Sequence, residues 1–303
     1  MNVAVALPFH SLFYAPHFVA VHAGCFADEG LDVRTLTGPA GTIRHLADGT
    51  AHFALGGLMR SLDVVDRGGR AFPHFVEVNS RNGFFLFSRT PRPDFAWATL
   101  AGRTVISFAG APTPWQCMQA VLRRHGVDPA RVTFVRTLHG ADAVAAFRVG
   151  AGDFLEVGEP AAEALVDAGL HLVASMGEAT GPVPFSSYMT TADRLRRDRA
   201  LVAAFTRAAV RALRWVARHD ADTIAECIAP SFADVPERWR RRAVARYREQ
   251  GTWATDPTVT RSGYDYLQDI LLAGGFIKRR HRYEELVDTA YATAAWEEVE
   301  DDW

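Results

Sequence analysis

The sequence predicts an α/β protein of two similar lobes followed by a helical tail, and three observations carry that expectation. The chain has 303 residues, 49% of them hydrophobic and 22% charged, which is a globular composition long enough for two cores. Strand-like and helix-like patterns alternate in the same order twice before residue 190. From Ala192 onward the strand patterns stop and only amphipathic helical periodicity continues.

The first half opens with Asn2 to Leu7, a short apolar run closed by Pro8, which suits a buried strand. A helix over Phe13 to Phe26 follows, then a strand over Leu31 to Leu36, a helix over Gly41 to Ala47 and a strand over Ala51 to Leu55. Leu58 to Arg67 reads as helical, and Phe75 to Val78 and Gly83 to Ser88 as strands. After the proline-rich Thr90 to Phe95, a strand over Arg103 to Phe108, a helix over Trp115 to Arg124 and a strand over Arg131 to Arg136 repeat the order. A helix over Ala141 to Val149 and a strand over Asp153 to Val157 complete it. The tail is expected to hold helices over Arg199 to Arg218, Ala221 to Ala229, Pro236 to Glu249, Ser262 to Ala273 and Tyr283 to Glu298.

The two halves also share letters at matching points. Val33-Arg34-Thr35-Leu36 returns as Val135-Arg136-Thr137-Leu138, and Gly49 and Phe53 fall opposite Gly150 and Phe154, about 101 residues on. Residues 1–88 and 188–303 are therefore expected to form one lobe with the tail, and residues 89–187 the other. Gly83 to Ser88 and Tyr188 to Thr191 are the expected crossings.

Composition excludes several function classes. A formal charge of −2 lacks the basic excess that a nucleic-acid partner requires. Cys25, Cys117 and Cys227 are too few and too scattered for a disulfide framework or a zinc site. Lys278 is the only lysine and sits in a charged run, so Schiff-base chemistry is not expected. No P-loop, GxGxxG, GxSxG or HExxH occurs, and no cofactor or metal is expected. No stretch is long and apolar enough to span a membrane. The opening residues lack a basic start, with no arginine or lysine before Arg34, so no export signal is expected.

Several segments resemble the solute-binding proteins of nitrate, sulfonate, taurine and thiamine-pyrimidine ABC transporters. These are Leu12-Phe13-Tyr14-Ala15-Pro16, Gly24 to Val33, Leu46-Ala47-Asp48-Gly49 with Phe53-Ala54-Leu55-Gly56, Thr99 to Val105, Gly126-Val127-Asp128-Pro129 and Val157-Gly158-Glu159-Pro160. The resemblance runs in order over about residues 1 to 220. It implies a two-lobed type II periplasmic-binding-protein-like fold with a helical C-terminal tail, a small-molecule ligand between the lobes, and an ABC permease as partner. It also implies periplasmic residence, in tension with the absent signal. The cysteine-rich motif of the thiamine-pyrimidine synthases on this fold is missing.

In open α/β lobes, ligands sit beyond the carboxyl ends of strands, where loops and helix starts present free N–H groups. That rule selects Phe9, His10 and Tyr14 after the first strand, Gly38 to Thr42 after the second, and Gly57 and Arg60 after the third. It selects Thr113, Trp115, Glu156 and Phe185 from the other side, with Asn79, Arg81 and Asn82 near the hinge. Gly38 to Thr42 is either an anion cradle or an ordinary turn. Thr113 and Trp115 offer a hydroxyl and a stacking surface, or else a cap and a core ring. Arg60 and Glu156 form a latch, contact a zwitterion, or are solvated rim charges. The arginine runs Arg238 to Arg248 and Lys278 to Arg282, with the acidic end Glu297 to Asp302, are expected to be solvated helix faces.

The expected function is capture of a small polar ligand, pyrimidine-like or sulfonate-type, for uptake. The alternative is a cytoplasmic desulfinase or decarboxylase using His10, Cys25 or Cys117. Against it, Cys25 falls at a helix end, where the macrodipole disfavours a thiolate.

Overall fold

The computed structural model describes residues 1–38 and 41–299 and contains two five-stranded sheets. The first is built from β1 (Asn2–Leu7), β2 (Asp32–Thr37), β3 (Phe53–Gly56), β4 (His74–Asn79) and β10 (Ser186–Met189), in the order β2-β1-β3-β10-β4. The second holds β5 (Phe84–Ser88), β6 (Thr104–Ile106), β7 (Thr133–Val135), β8 (Phe154–Gly158) and β9 (His171–Ser175), in the order β7-β6-β8-β5-β9. In each sheet four strands share one direction and a single strand runs against them, β10 in the first sheet and β5 in the second.

The orders superimpose strand for strand, so the repeat read from the sequence is a repeat of structure. β2 and β7 are the matching outer strands, but the shared letters are not in register: Val33-Arg34-Thr35-Leu36 lies inside β2 with Val33 beside Val3, whereas Val135 is the last residue of β7 and sits beside Ile106, three positions further along the equivalent strand. Val5 faces Phe53 in one sheet as Val105 faces Phe154 in the other. β1 is apolar at nearly every position because sheet neighbours and helices cover both its faces. β2, at the edge, alternates exposed and half-buried positions and carries polar residues there.

The structure moves both boundaries: Tyr188, where the second crossing was expected to begin, lies inside β10, so the first sheet resumes at Ser186. Phe84–Ser88, expected to close the first lobe, pairs with β8 and β9 along its whole length and belongs to the second sheet. The crossings are the short stretches 80–83 and 181–185, and they hydrogen-bond to each other: Val183 N–H donates to Ser80 O and Phe185 N–H to Asn79 O, both at 2.9 Å. The tail adds a third strand-like stretch, with Ser80 N–H bonded to Thr252 O and Ala254 N–H to Val78 O. Asn79 fixes this junction by donating from Nδ2 to Phe13 O, which also accepts from Trp253 Nε1.

Helices Ala161–Asp167, Met176–Thr180 and Ala192–Arg197 and strands β9 and β10 had no counterpart in the sequence reading. The second of these helices carries a cap signal, Ser175 Oγ accepting from Glu178 N–H. The expected long final helix is two pieces, Tyr283–Leu286 and Ala290–Glu298.

The long tail helix Arg199–Arg218 buries Leu201, Val202, Phe205, Ala209, Leu213 and Val216 along one stripe against the first lobe. Phe205 stacks at 4.0 Å on Phe53 and 5.1 Å on Phe26, with Tyr188 edge-on at 4.9 Å. The helix Arg261–Ala273 packs instead on Pro112–Arg124 of the second lobe, and Tyr266 donates its hydroxyl to Thr180 O. The tail therefore touches both lobes, whereas the sequence placed it on the first alone.

Candidate functional site in the cleft

The loops after β1, β3, β6 and β8 meet between the sheets and enclose two connected spaces. The larger, about 560 Å³, is lined from the first lobe by Pro8 to Ser11 and Gly38, and from the second by Phe108, His139, Glu156 and Glu159. The smaller, about 20 Å³, lies among Tyr14, Gly57, Arg60, Thr113, Phe185 and Ser186. Pro8, Phe9 and Phe84 line both, so the two spaces are halves of one cleft divided by aromatic rings. Phe84 lies 4.4 Å from Phe108, and Phe9 lies 6.0 Å from Phe108 and 5.5 Å from Tyr14.

The smaller space is where the lobes touch. A Cβ placed on Gly57 would lie 3.3 Å from Phe185 O and 3.4 Å from Thr113 Oγ1, so a hydrogen side chain permits the approach. Arg60 occupies the first turn of helix Met59–Asp66, directly after β3. Among the described residues it pairs with no carboxylate, and burial pulls its pKa below the ordinary arginine value while the neighbouring Tyr14 raises it. Guanidinium keeps its charge even so. Tyr14 is raised by burial, with Ser186 and Arg60 pulling the other way, so its hydroxyl stays protonated. An unpaired cation, hydroxyl groups and the starts of two helices thus surround one point.

The larger space is walled by Phe9, Phe84, Phe108 and Leu138, and its polar features are few. Glu156 is 1% exposed. Its Oε2 accepts from Ser107 Oγ at 2.7 Å and from Phe108 N–H at 3.1 Å. Burial raises its pKa, opposed by those two donors and by Arg136. Glu159, at the end of the same wall, is raised to about 7 by burial despite its bond to Arg246. Tyr247, from tail helix Glu237–Glu249, closes the floor: its hydroxyl accepts from Glu159 N–H and donates to Gly83 O, each at 3.1 Å.

Of the residues selected from sequence, Phe9, His10, Tyr14, Gly57, Arg60, Thr113, Glu156 and Phe185 line the cleft. Arg60 and Glu156 do not pair with each other, and Glu156 lies within β8 rather than at a strand end matching Arg60. Trp115 is elsewhere. Helical residues advance 100° each, so Thr113 and Trp115 stand about 200° apart and cannot share a face. Thr113 is buried at the cleft, while Trp115 rests edge-on against Phe134 at 4.4 Å under the Arg136 guanidinium. Thr42 is buried near Gly56, away from both spaces. Asn79 serves the hinge; Asn82 accepts from Phe84 N–H, and Arg81 donates to Gly177 O. Of the turn Gly38 to Thr42, Pro39 and Ala40 lie outside the described residues, as do Glu300 to Asp302 of the acidic end.

His10 reaches the cleft rim, but its Nε2 bonds Ser231 O at 2.6 Å and its ring packs on Phe232. None of the cysteines lines the cleft. Burial pushes the Cys25 thiol up to about 11 and the Cys117 thiol up to about 12, values at which a thiol stays protonated near neutrality.

Sequence reading missed Phe84, Ser107, Phe108 and His139 of the cleft wall and Tyr247 of its floor. The helix that holds this tyrosine was taken as a solvated arginine face, yet Arg240, Ala243, Val244 and Tyr247 are buried at helical spacing. Arg240 donates to the carbonyls of Ala225, Phe232 and Val235. Arg242 and Arg246 ion-pair with the buried Glu163, and Arg246 also with Glu159. The apolar positions at that spacing were the available signal.

Two repeated α/β lobes, paired crossings and a cleft at the strand ends define a two-lobed protein of the periplasmic-binding-protein-like fold. The chain belongs to the NMT1/THI5-like family, whose model matches residues 13–223. It is 30% identical over 296 residues to the "putative binding protein YtlA" of Bacillus subtilis, covering 96% of this chain and 89% of that one. Among solved structures it is similar to the alkanesulfonate-binding protein SsuA of Xanthomonas axonopodis bound to MOPS. The TM-score there is 0.75, at 16% identity over 95% of this chain and 98% of the other. The desulfurization enzyme DSZB shares the fold at a TM-score of 0.69, with 19% identity over 98% and 99% of the two chains.

Proposed function

We propose that the protein is the substrate-binding component of an ABC importer and captures a small organic anion of the sulfonate type in the cleft. The observation that carries this is Arg60, a half-buried guanidinium in the cleft wall with no carboxylate partner among the described residues. Thr113 and the helix starts beside it suit the oxygens of an oxoanion, and the aromatic walls of the larger space suit an apolar body. Closure about the paired crossings would cover the bound molecule and present the closed form to a permease. The names of YtlA and SsuA support this reading. Residence outside the cytoplasmic membrane belongs to the same proposal, and cell fractionation tests it.

The experiment is calorimetry with a series of n-alkanesulfonates and arenesulfonates, with pyrimidines as the competing class. Arg60→Ala is expected to weaken sulfonate binding about 10- to 100-fold, the worth of a charge-assisted hydrogen bond. Sulfonate affinity indifferent to Arg60→Ala would overturn the anion assignment. Consumption of the ligand during incubation, followed by mass spectrometry, would overturn the transport reading in favour of catalysis.

A further inference from the structure

Two helices carry matched ladders of opposite charge where the tail meets the second lobe. Glu159, Glu163 and Asp167 recur every fourth residue into and along helix Ala161–Asp167, and Arg238, Arg242 and Arg246 do so along tail helix Glu237–Glu249. Residues four apart share a helix face, and the two ladders run antiparallel. Arg238 pairs with Asp167 at 2.7 Å, Arg242 with Asp167 at 2.6 Å and with Glu163 at 2.5 Å, and Arg246 with Glu163 and Glu159. Trp239 adds a hydrogen bond from Nε1 to Asp167 at 2.6 Å. The other face of the tail helix, about 200° round, holds Arg240, Val244 and Tyr247 and is buried. The helix packs there on Ala221–Cys227 and on Leu12–Tyr14 of the first lobe, while the preceding turn is seated by Phe232 against Phe18 at 4.9 Å and by Ser231 O on His10.

The two contacts differ in how readily they part. Separating the tail from the first lobe would expose the rings of Phe13, Phe18, Phe232 and Tyr247 to water. Separating the ladders exposes charges, which water solvates. The Glu159 and Glu163 side chains are fully buried, and neither oxygen of Glu163 has an aligned hydrogen bond. Desolvation of such groups offsets most of their attraction to the arginines, so this seam opens at small net cost. The tail helix leads directly into the crossings, because Gln250 Nε2 donates to Asn82 O and Ser80 N–H to Thr252 O. Arg246 is therefore the rung nearest the crossings and Arg238 the farthest. Exposure of the arginine side chains rises in that order, from 23% at Arg246 through 45% at Arg242 to 69% at Arg238, as for a seam that opens from its outer end.

We infer that the two ladders are an electrostatic latch between the lobes. The tail helix stays with the first lobe, and its arginines engage the acids of the second as the cleft closes and release them as it opens, the Arg238–Asp167 rung parting first. This rests on the closure about the crossings proposed above and not on what fills the cleft. With the latch engaged, less of a ligand's binding free energy is taken up in bringing the lobes together.

The test uses the full chain without ligand. Spin labels at Ala168→Cys and Glu237→Cys, exposed positions beside the outer rung, report its width by electron–electron double resonance in a Cys227→Ser background; Cys25 and Cys117 are buried. Raising NaCl from 0.1 to 1 M shortens the screening length from about 10 to about 3 Å and is expected to raise the population of long distances severalfold. Asp167→Arg, which sets a third cation against Arg238 and Arg242, should do the same at 0.1 M NaCl, and adding Arg238→Glu should reverse most of the change. Labels at Asp28→Cys and Glu237→Cys, joining the first lobe to the tail helix, should keep one distance throughout. A 168–237 distance unmoved by both salt and Asp167→Arg overturns the inference, and so does opening that Arg238→Glu fails to reverse. A 28–237 distance that lengthens instead assigns the helix to the second lobe and overturns it as well. The salt series leaves both ladders intact and decides the matter even if Asp167→Arg does not fold. The two readings fail separately: a latch that does not open leaves the sulfonate reading to calorimetry with Arg60→Ala, and sulfonate affinity indifferent to Arg60→Ala leaves the latch standing.

Discussion

Replacing Tyr247 by Phe removes one oxygen and keeps the ring contacts with Phe13, Phe85 and Trp253. That oxygen joins Gly83 O, where the chain enters the second sheet, to Glu159 N–H, where β8 ends. Tyr247 is 1% exposed, so its loss leaves one buried carbonyl and one buried N–H without partners. At about 1–2 kcal/mol for each orphaned group, the variant should be destabilised by about 2–4 kcal/mol, with water from the adjoining cavity favouring the lower end. For a chain of this size that corresponds to a fall in Tm of about 3–6 °C. Calorimetric unfolding of the two proteins at pH 7 measures it. A Tm within about 1 °C of wild type would show that the hydroxyl does not tie the tail to the cleft floor, and would refute the accounting of these two bonds.

Three further outcomes follow from the same geometry. Burial raises Glu77 from 4.5 to about 8, so the folded chain keeps a proton that the unfolded chain has lost, and stability should fall as pH rises across that window. Glu77→Gln should flatten the profile and gain up to roughly 4 kcal/mol on wild type at pH 8.5, read by urea unfolding; parallel profiles would refute it. Phe205→Ala should cost about 3–5 kcal/mol, because the ring is enclosed by Phe26, Phe53 and Tyr188, and a loss under about 1 kcal/mol would contradict that packing. Trp115→Ala should leave sulfonate affinity within about twofold of wild type, since the ring faces away from the cleft; a larger loss would restore it to the site.

The legible parts of the fold were those where one local pattern decides. β1 and β3 are apolar runs closed by proline or glycine, and the Arg199–Arg218 helix repeats its apolar stripe over five turns. The 161–180 region escaped because its helices have seven and five residues, too short for a periodic signature, and β9 is only half-buried. In the site, the strand-end rule found Arg60, just after β3, because it depends on topology, which the repeat supplied; it also chose Glu156, which lines the cleft from within β8. It failed at Trp115, where the helical rotation between positions 113 and 115 went unused. It did not reach Tyr247, which bonds Glu159 from 88 residues further along the chain; the helical spacing of Ala243, Val244 and Tyr247 marks a buried face but not what that face covers.

The position of β10 bears on the order in which the protein assembles during synthesis. β4 hydrogen-bonds in its sheet only to β10, and β10 also separates β4 from β3, so the first sheet stays divided until residues 186–189 emerge. Every strand of the second sheet lies between residues 84 and 175 and is available before then. The lobe made from the middle of the chain can therefore complete its sheet first, as a finished insert within a host that still lacks β10, the strand between β3 and β4. A chain that had emerged only as far as residue 181 would carry one complete sheet and, between β3 and β4, one pair of unpaired strand edges, which makes the first lobe the one in need of a chaperone.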